Sequence, residues 1–136
     1  MCYNKVMKLL YTLSAALITM CSLDMLWLGY LAKGYYDRLL SPIINIKFNL
    51  WPGIIFYIFY IIGVYIFVLS PGIESRSLPK TLLLAALFGF MCYMTYELSN
   101  MATIKGWPLT IAIVDILWGV ALTTFVALVA YKVYFL

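Results

Sequence analysis

Residues 107–119 read WPLTIAIVDILWG, and this stretch decides the fold. Trp107-Pro108 opens a strongly apolar helix. Proline suits a first helical turn, where the N–H it lacks has no partner in any case. About two turns further on, Asp115 stands where hydrocarbon should be. Charge at that depth is costly, so such a residue usually has a partner or a task. The composition says which kind of apolar surroundings to expect. Of the 136 residues, 66% are apolar and only 10% charged, whereas a soluble domain carries about a quarter. So few charges cannot clothe a water-facing surface. The chain is therefore read as one all-α transmembrane domain over residues 1–136, with little outside the bilayer.

Working outward, the apolar stretches give four spans of about 7–31, 50–70, 80–98 and 108–132, each near the roughly 20 residues that a crossing needs. The first follows Lys5 and Lys8. It outlasts a signal-peptide core and no small-x-small cleavage site follows, so it is read as an uncleaved span. Residues 33–49 mix Lys33, Asp37, Arg38, Pro42, Lys47 and Asn49 with Tyr35, Tyr36, Leu39, Leu40 and several isoleucines. That mixture suits a segment lying on the membrane surface. Trp51-Pro52 opens the second span and Ser70-Pro71-Gly72 is expected to stop it. Short connections between four helices predict an up-down-up-down bundle. Five basic residues lie on the side of the termini and four on the other, which places both termini in the cytoplasm.

Nine Lys and Arg give a net charge of +4. They are scattered as membrane anchors rather than gathered into a nucleic-acid patch. There is no histidine, so the usual imidazole base and the commonest metal ligand are missing. Cys2, Cys21 and Cys92 have neither metal nor disulfide spacing. Cys21 and Cys92 read as small packing residues, and Cys2 as a weak acylation candidate. No phosphate-cradling loop, serine elbow or metal cluster is present, and no cofactor is called for.

Alternating helix direction brings Asp24, Glu97 and Asp115 into one leaflet, with Asp24 and Asp115 roughly 10 Å inside its boundary. All four tryptophans, Trp27, Trp51, Trp107 and Trp118, fall in the same leaflet, with Asn49, Tyr96, Ser99, Asn100 and Thr103. Asp24-Met25-Leu26-Trp27 and Asp115-Ile116-Leu117-Trp118 each place Asp and Trp three apart, on one helix face. Gly29 and Gly119 follow, and small residues let membrane helices approach. Two carboxylates close together in low dielectric would not both ionise, giving a proton-holding pair. The plainer reading is that each acid bonds to Tyr, Ser or Asn and fixes helix register. Glu97 lies at a helix end where water reaches it, and Ser99 and Asn100 are available as donors. Trp51 and Trp107 read as interfacial belt residues, Trp27 and Trp118 as pocket walls that could also face a cation. The aromatic run FYIFYIIGVYIF at 56–67 shows no polar focus and reads as lipid-facing or packing surface.

The strings Asp24-x-x-Trp27-Leu28-Gly29, Tyr96-Glu97-Leu98-Ser99-Asn100-x-Ala102-Thr103, and Trp107-Pro108 with Asp115-x-x-Trp118-Gly119 resemble the family of small membrane proteins called domain of unknown function 2177. The likeness spans nearly the whole chain. Asp and Thr are usual in that family where this chain has Glu97 and Ser99; both changes keep the chemistry and alter reach. The resemblance implies a four-span membrane protein and no established activity. Members of that family are often encoded near lipid-modifying enzymes, so the resemblance mildly favours a lipid-related role.

The expected function is thus a pocket in one leaflet that binds a lipid or small amphiphilic or cationic ligand. Asp24 and Asp115 form its polar centre, Tyr96, Glu97 and Asn100 its rim, and Trp27 and Trp118 its walls. Catalysis is left open, since a carboxylate pair can move a proton without a cofactor. The alternatives are a proton-coupled or cation transporter and a non-catalytic accessory subunit. Transport would call for a homo-oligomer, because four helices enclose little volume. Membrane lipids are the expected surroundings and nucleic acid is not an expected partner.

Overall fold

Four helices are long and apolar enough to cross a membrane: Lys5–Leu31, Leu50–Glu74, Leu78–Thr103 and Leu109–Tyr134. The computed structural model describes residues 2–44 and 49–136, with side chains from Lys5 onward. The first span is helix α1 (Cys2–Leu26), which runs into a wide π turn over Trp27–Leu31. A short helix α2 (Lys33–Leu40) follows. The second span, α3, comprises Leu50–Val64, a second π turn at Tyr65–Leu69 and a last segment Ser70–Glu74. The third and fourth are α4 (Leu78–Thr103) and α5 (Leu109–Tyr134). The acylation candidate Cys2, and Ile46, Lys47 and Phe48 of the surface segment, lie outside the described side chains.

All four spans contribute to one core: Ala16 and Met20 from α1, Tyr60, Val64 and Val68 from α3, Ala85 from α4, and Leu122, Val126 and Ala130 from α5. α5 is the central element, burying eight residues against four on α4. Outward-facing Ile18, Phe59, Leu83 and Leu117 are each more than half exposed, an apolar surface that only a bilayer can cover. Contacts between α1 and α5 run in opposite order. Lys8 Nζ donates to the Tyr134 carbonyl at 3.2 Å, while Asp24 meets Trp118.

The closest approach is between α4 and α5. A Cβ built on Gly89 would overlap the carbonyl oxygen of Gly119 and lie 2.6 Å from Thr123 Oγ1; one built on Gly119 would overlap the Tyr93 ring. Gly119 therefore does what a small residue does between membrane helices. Gly29 does not, since nothing lies within 4 Å of a Cβ placed there. It sits in the π turn instead, where the Ala32 N–H reaches back five residues to the Trp27 carbonyl at 2.7 Å.

Three expected boundaries move. Ser70-Pro71-Gly72 does not stop the second span. The π turn at Tyr65–Leu69 widens the helix just before Pro71, where an ordinary turn would clash with the proline ring. The third span passes Leu98 and ends at Thr103, because the polar groups of its last turns bond back to their own helix. Thr95 donates to the Met91 carbonyl and Thr103 to the Ser99 carbonyl, both at 2.7 Å. The turn before α5 uses Gly106 at φ 85, and Pro108 caps α5 from just outside it.

Of the segment expected on the membrane surface, α2 packs over one end of the bundle. Leu40 is buried with Trp107 and Ile111, and Tyr35, Tyr36, Leu39, Ile44 and Ile104 close around them.

Candidate functional site

The three intramembrane acids lie in one network at the α2 end of the bundle, and among the described residues every donor to them is uncharged. Asp24 is 4% exposed. It accepts from Trp118 Nε1 at 3.0 Å and from Tyr57 Oη at 3.1 Å. Asp115 accepts from the hydroxyl of Tyr36, which in turn receives Trp27 Nε1 at 3.5 Å. The Trp27 and Trp118 rings stack at 4.4 Å with an interplanar angle of 7°. One face of each indole is thus filled by the other, and their N–H groups serve the two aspartates' shells.

The directly paired acids are Glu97 and Asp115, which stand as hydrogen-bonding neighbours. Two carboxyl groups can bond only when one holds a proton, since an ionised carboxylate is acceptor-only. The pairing expected for Asp24 and Asp115 is thus met by Glu97 and Asp115, with Asp24 held apart by its own donors. The reason is the extra length of α4. With the helix ending at Thr103 rather than Leu98, Glu97 sits well inside it and is 0% exposed, not at a wet helix end.

Glu97 Oε2 accepts from Trp107 Nε1 at 2.7 Å. Among the described residues, Glu97 Oε1 finds no nitrogen or hydroxyl donor, which leaves it to the pair with Asp115, and the buried Asn100 Nδ2 finds no acceptor. A buried polar atom left without a partner costs about 1–3 kcal/mol. Ser99, expected as a donor to Glu97, instead donates to the Tyr96 carbonyl at 2.9 Å. Tyr96 is 56% exposed, and its hydroxyl bonds to none of the acids among the described residues. Among the expected site residues, then, Asp24, Trp27, Glu97, Asp115 and Trp118 come together, Asn100 borders Glu97, and Tyr96 does not join them.

Three residues that bond to the acids, Trp107, Tyr57 and Tyr36, lie outside the sequence expectation. Trp107 is only 9% exposed and bonded to Glu97, so it is no belt residue; Trp51, 72% exposed, fits that description. Tyr57 and Tyr60 give the aromatic run of α3 the polar focus it was thought to lack. Tyr57 serves Asp24 and Tyr60 Oη shares a 2.7 Å bond with Thr123 Oγ1. The depth argument used for the acids would have found Tyr57, which lies about seven residues into its span. Tyr36 gave no such signal, because its place depends on how α2 folds back.

Tyr36 lies in α2, outside the spans. Its phenol is pushed above the usual range, first by burial and then by its bond to Asp115. The folded state therefore keeps this proton longer than the unfolded chain does. Stability from docking α2 should be full below about pH 10, the ordinary tyrosine value, and drain away as pH rises beyond it. Tyr36→Phe should abolish that alkaline loss and cost about 1–3 kcal/mol at neutral pH. Thermal unfolding in detergent against pH measures both; an unchanged alkaline limb in the variant would contradict the latch.

A cavity of about 270 Å³ lies at the other end of the bundle, bordered by Lys5, Leu9, Tyr65, Ser70, Glu74 and Tyr134. It shares no residue with the acid network.

Four apolar spans packed round a buried set of acids define a multi-pass integral membrane protein. The family model described as predicted membrane protein (DUF2177) matches residues 9–132. The chain belongs to that family, as Asp24, Trp27, Glu97, Asn100, Asp115 and Trp118 led us to expect. No curated protein and no solved structure is similar to it.

Proposed function

We propose that the acid–aromatic network binds the polar head of a lipid or other small amphiphile. The observation that carries this reading is the buried Asn100 Nδ2, which finds no acceptor among the described residues although it lies one helical turn from the buried acid Glu97. Folded proteins leave few such atoms unpaired, and each calls for an explanation. Asp24 and Asp115 hold the centre of the site, while the stacked Trp27 and Trp118 form one wall. The amphiphile's chains would lie in the bilayer against the exposed apolar side of the helices. On the basic-residue count, the site opens to the outer leaflet.

The test is native mass spectrometry of the detergent-purified protein beside an Asp24→Asn, Asp115→Asn double variant. A discrete ligand on the wild type that is missing from an equally folded variant is the expected result. Bare protein in both samples would sink the reading.

A second reading, proton or cation transport, draws on two observations. Glu97 and Asp115 stand side by side as carboxyl neighbours, and the Tyr60–Thr123 bond puts a further polar step deeper in the bundle. Proton flux into liposomes that disappears with Glu97→Gln would favour this reading over binding alone.

A further inference from the structure

Away from the acid network, and independently of its function, we infer that the cavity at the terminal end of the bundle holds the zwitterionic head group of an ethanolamine phospholipid. Lys5 of α1 and Ser70 and Glu74 of α3 border this cavity, with apolar walls from Val6, Leu9 and Ile73. Its volume of about 270 Å³ falls just below that of pockets enclosing whole small ligands, roughly 300–1,000 Å³. It has room for a head group and leaves the acyl chains outside.

Two opposite charges border this cavity and do not meet. Glu74 accepts from Ser70 Oγ at 3.2 Å, and among the described residues neither Glu74 nor Lys5 has a partner of opposite charge. An anion drawn to Lys5 would face the Glu74 carboxylate, and a cation drawn to Glu74 would face the Lys5 ammonium. A guest of both signs satisfies both, with its phosphate on Lys5 and its ammonium on Glu74 and Ser70. A primary ammonium has the N–H donors that a carboxylate accepts. A quaternary one needs open aromatic faces, and Lys8 already lies over the Tyr134 ring, 5.9 Å from its centroid.

The height of the cavity favours a lipid over a soluble ester. The first span begins at Lys5 and the second ends at Glu74, so both charges stand at the edge of the hydrocarbon, the level of the head groups. Val6, which also borders the cavity, is 55% exposed and offers an apolar way out for acyl chains. The π turn at Tyr65–Leu69 runs directly into Ser70, and Tyr65 lines the cavity. Widened turns of this kind recur at functional sites.

The experiment uses the full chain purified in a maltoside detergent, which carries no charge of either sign. Native mass spectrometry is run after incubation with dioleoyl phosphatidylethanolamine, with the matching choline and glycerol lipids, and with soluble sn-glycero-3-phosphoethanolamine. The wild type should retain the ethanolamine lipid about tenfold over the other two lipids, the value of one hydrogen bond to a charged partner. Glu74→Gln should bring the ethanolamine lipid down to the level of the choline lipid. Lys5→Gln should weaken both alike, because both present a phosphate. Equal retention of the three lipids by the wild type, a comparison that needs no variant, overturns the inference. So does an ethanolamine preference that survives Glu74→Gln, which would put the lipid elsewhere on the protein. Binding of the soluble ester without the lipid overturns the lipid as the source of the head group.

Discussion

Gly89→Ala is expected to destabilise the protein by about 3 kcal/mol, the upper range for forcing an extra methyl into a packed core. The added Cβ would overlap the Gly119 carbonyl oxygen and press on Thr123 Oγ1. The first obstacle is backbone, so no rotamer change relieves it. α4 and α5 must separate, and with them Glu97 from Asp115. Gly29→Ala is the control, with open space around its Cβ and an expected effect within about 0.5 kcal/mol, as at ordinary surface sites. Unfolding of both variants in the same detergent decides the matter. Equal stability of the two would mean that the helices are not packed as tightly at Gly89 as the structure has them.

Asp24→Leu should cost about 2–4 kcal/mol. It strips the acceptor from two donors at once, Trp118 Nε1 and Tyr57 Oη, and each orphaned donor costs about 1–3 kcal/mol, toward the lower end where the group is only partly buried. Asp24→Asn keeps one acceptor oxygen and should lose about half as much, since its amide nitrogen then faces a donor. Tryptophan emission adds a readout specific to the network, because Trp118 stacks on Trp27 and should shift when its N–H is freed. If Leu and Asn cost the same, the carboxylate is not what holds these two side chains.

Much of this arrangement was legible in the residues themselves. The four spans follow from apolar run lengths, and the placing of Asp24, Glu97 and Asp115 at one level follows from alternating helix direction. The aspartates' i+3 tryptophans, Trp27 and Trp118, do line the network. What the sequence hid is of two kinds. Helix ends were misread at Ser70-Pro71-Gly72 and Leu98, because proline is accommodated by a π turn and Thr103 satisfies itself on its own backbone. Partner choice across helices was also hidden. Tyr36, Tyr57 and Trp107 are ordinary interfacial or packing aromatics by composition, and only the rotation of each helix about its axis decides which way an indole or phenol points. The Glu97–Asp115 pairing depended on both, on the true end of α4 and on its rotation against α5.

The order in which the chain is made gives the network another meaning. The partners of Asp24 lie 33 and 94 residues further on. The first helix must therefore enter the bilayer with its acid unmatched and wait for the last helix to supply Trp118. Glu97 likewise precedes Trp107 by 10 residues. The two spans that carry these early acids are also the least apolar, with mean hydropathy 1.6 and 1.5, and each is followed by a much more apolar one, at 2.3 and 2.2. Insertion is then easiest in pairs, with α3 drawing α1 into the membrane and α5 drawing α4. The buried acids become a late checkpoint, satisfied only once α5 has left the ribosome.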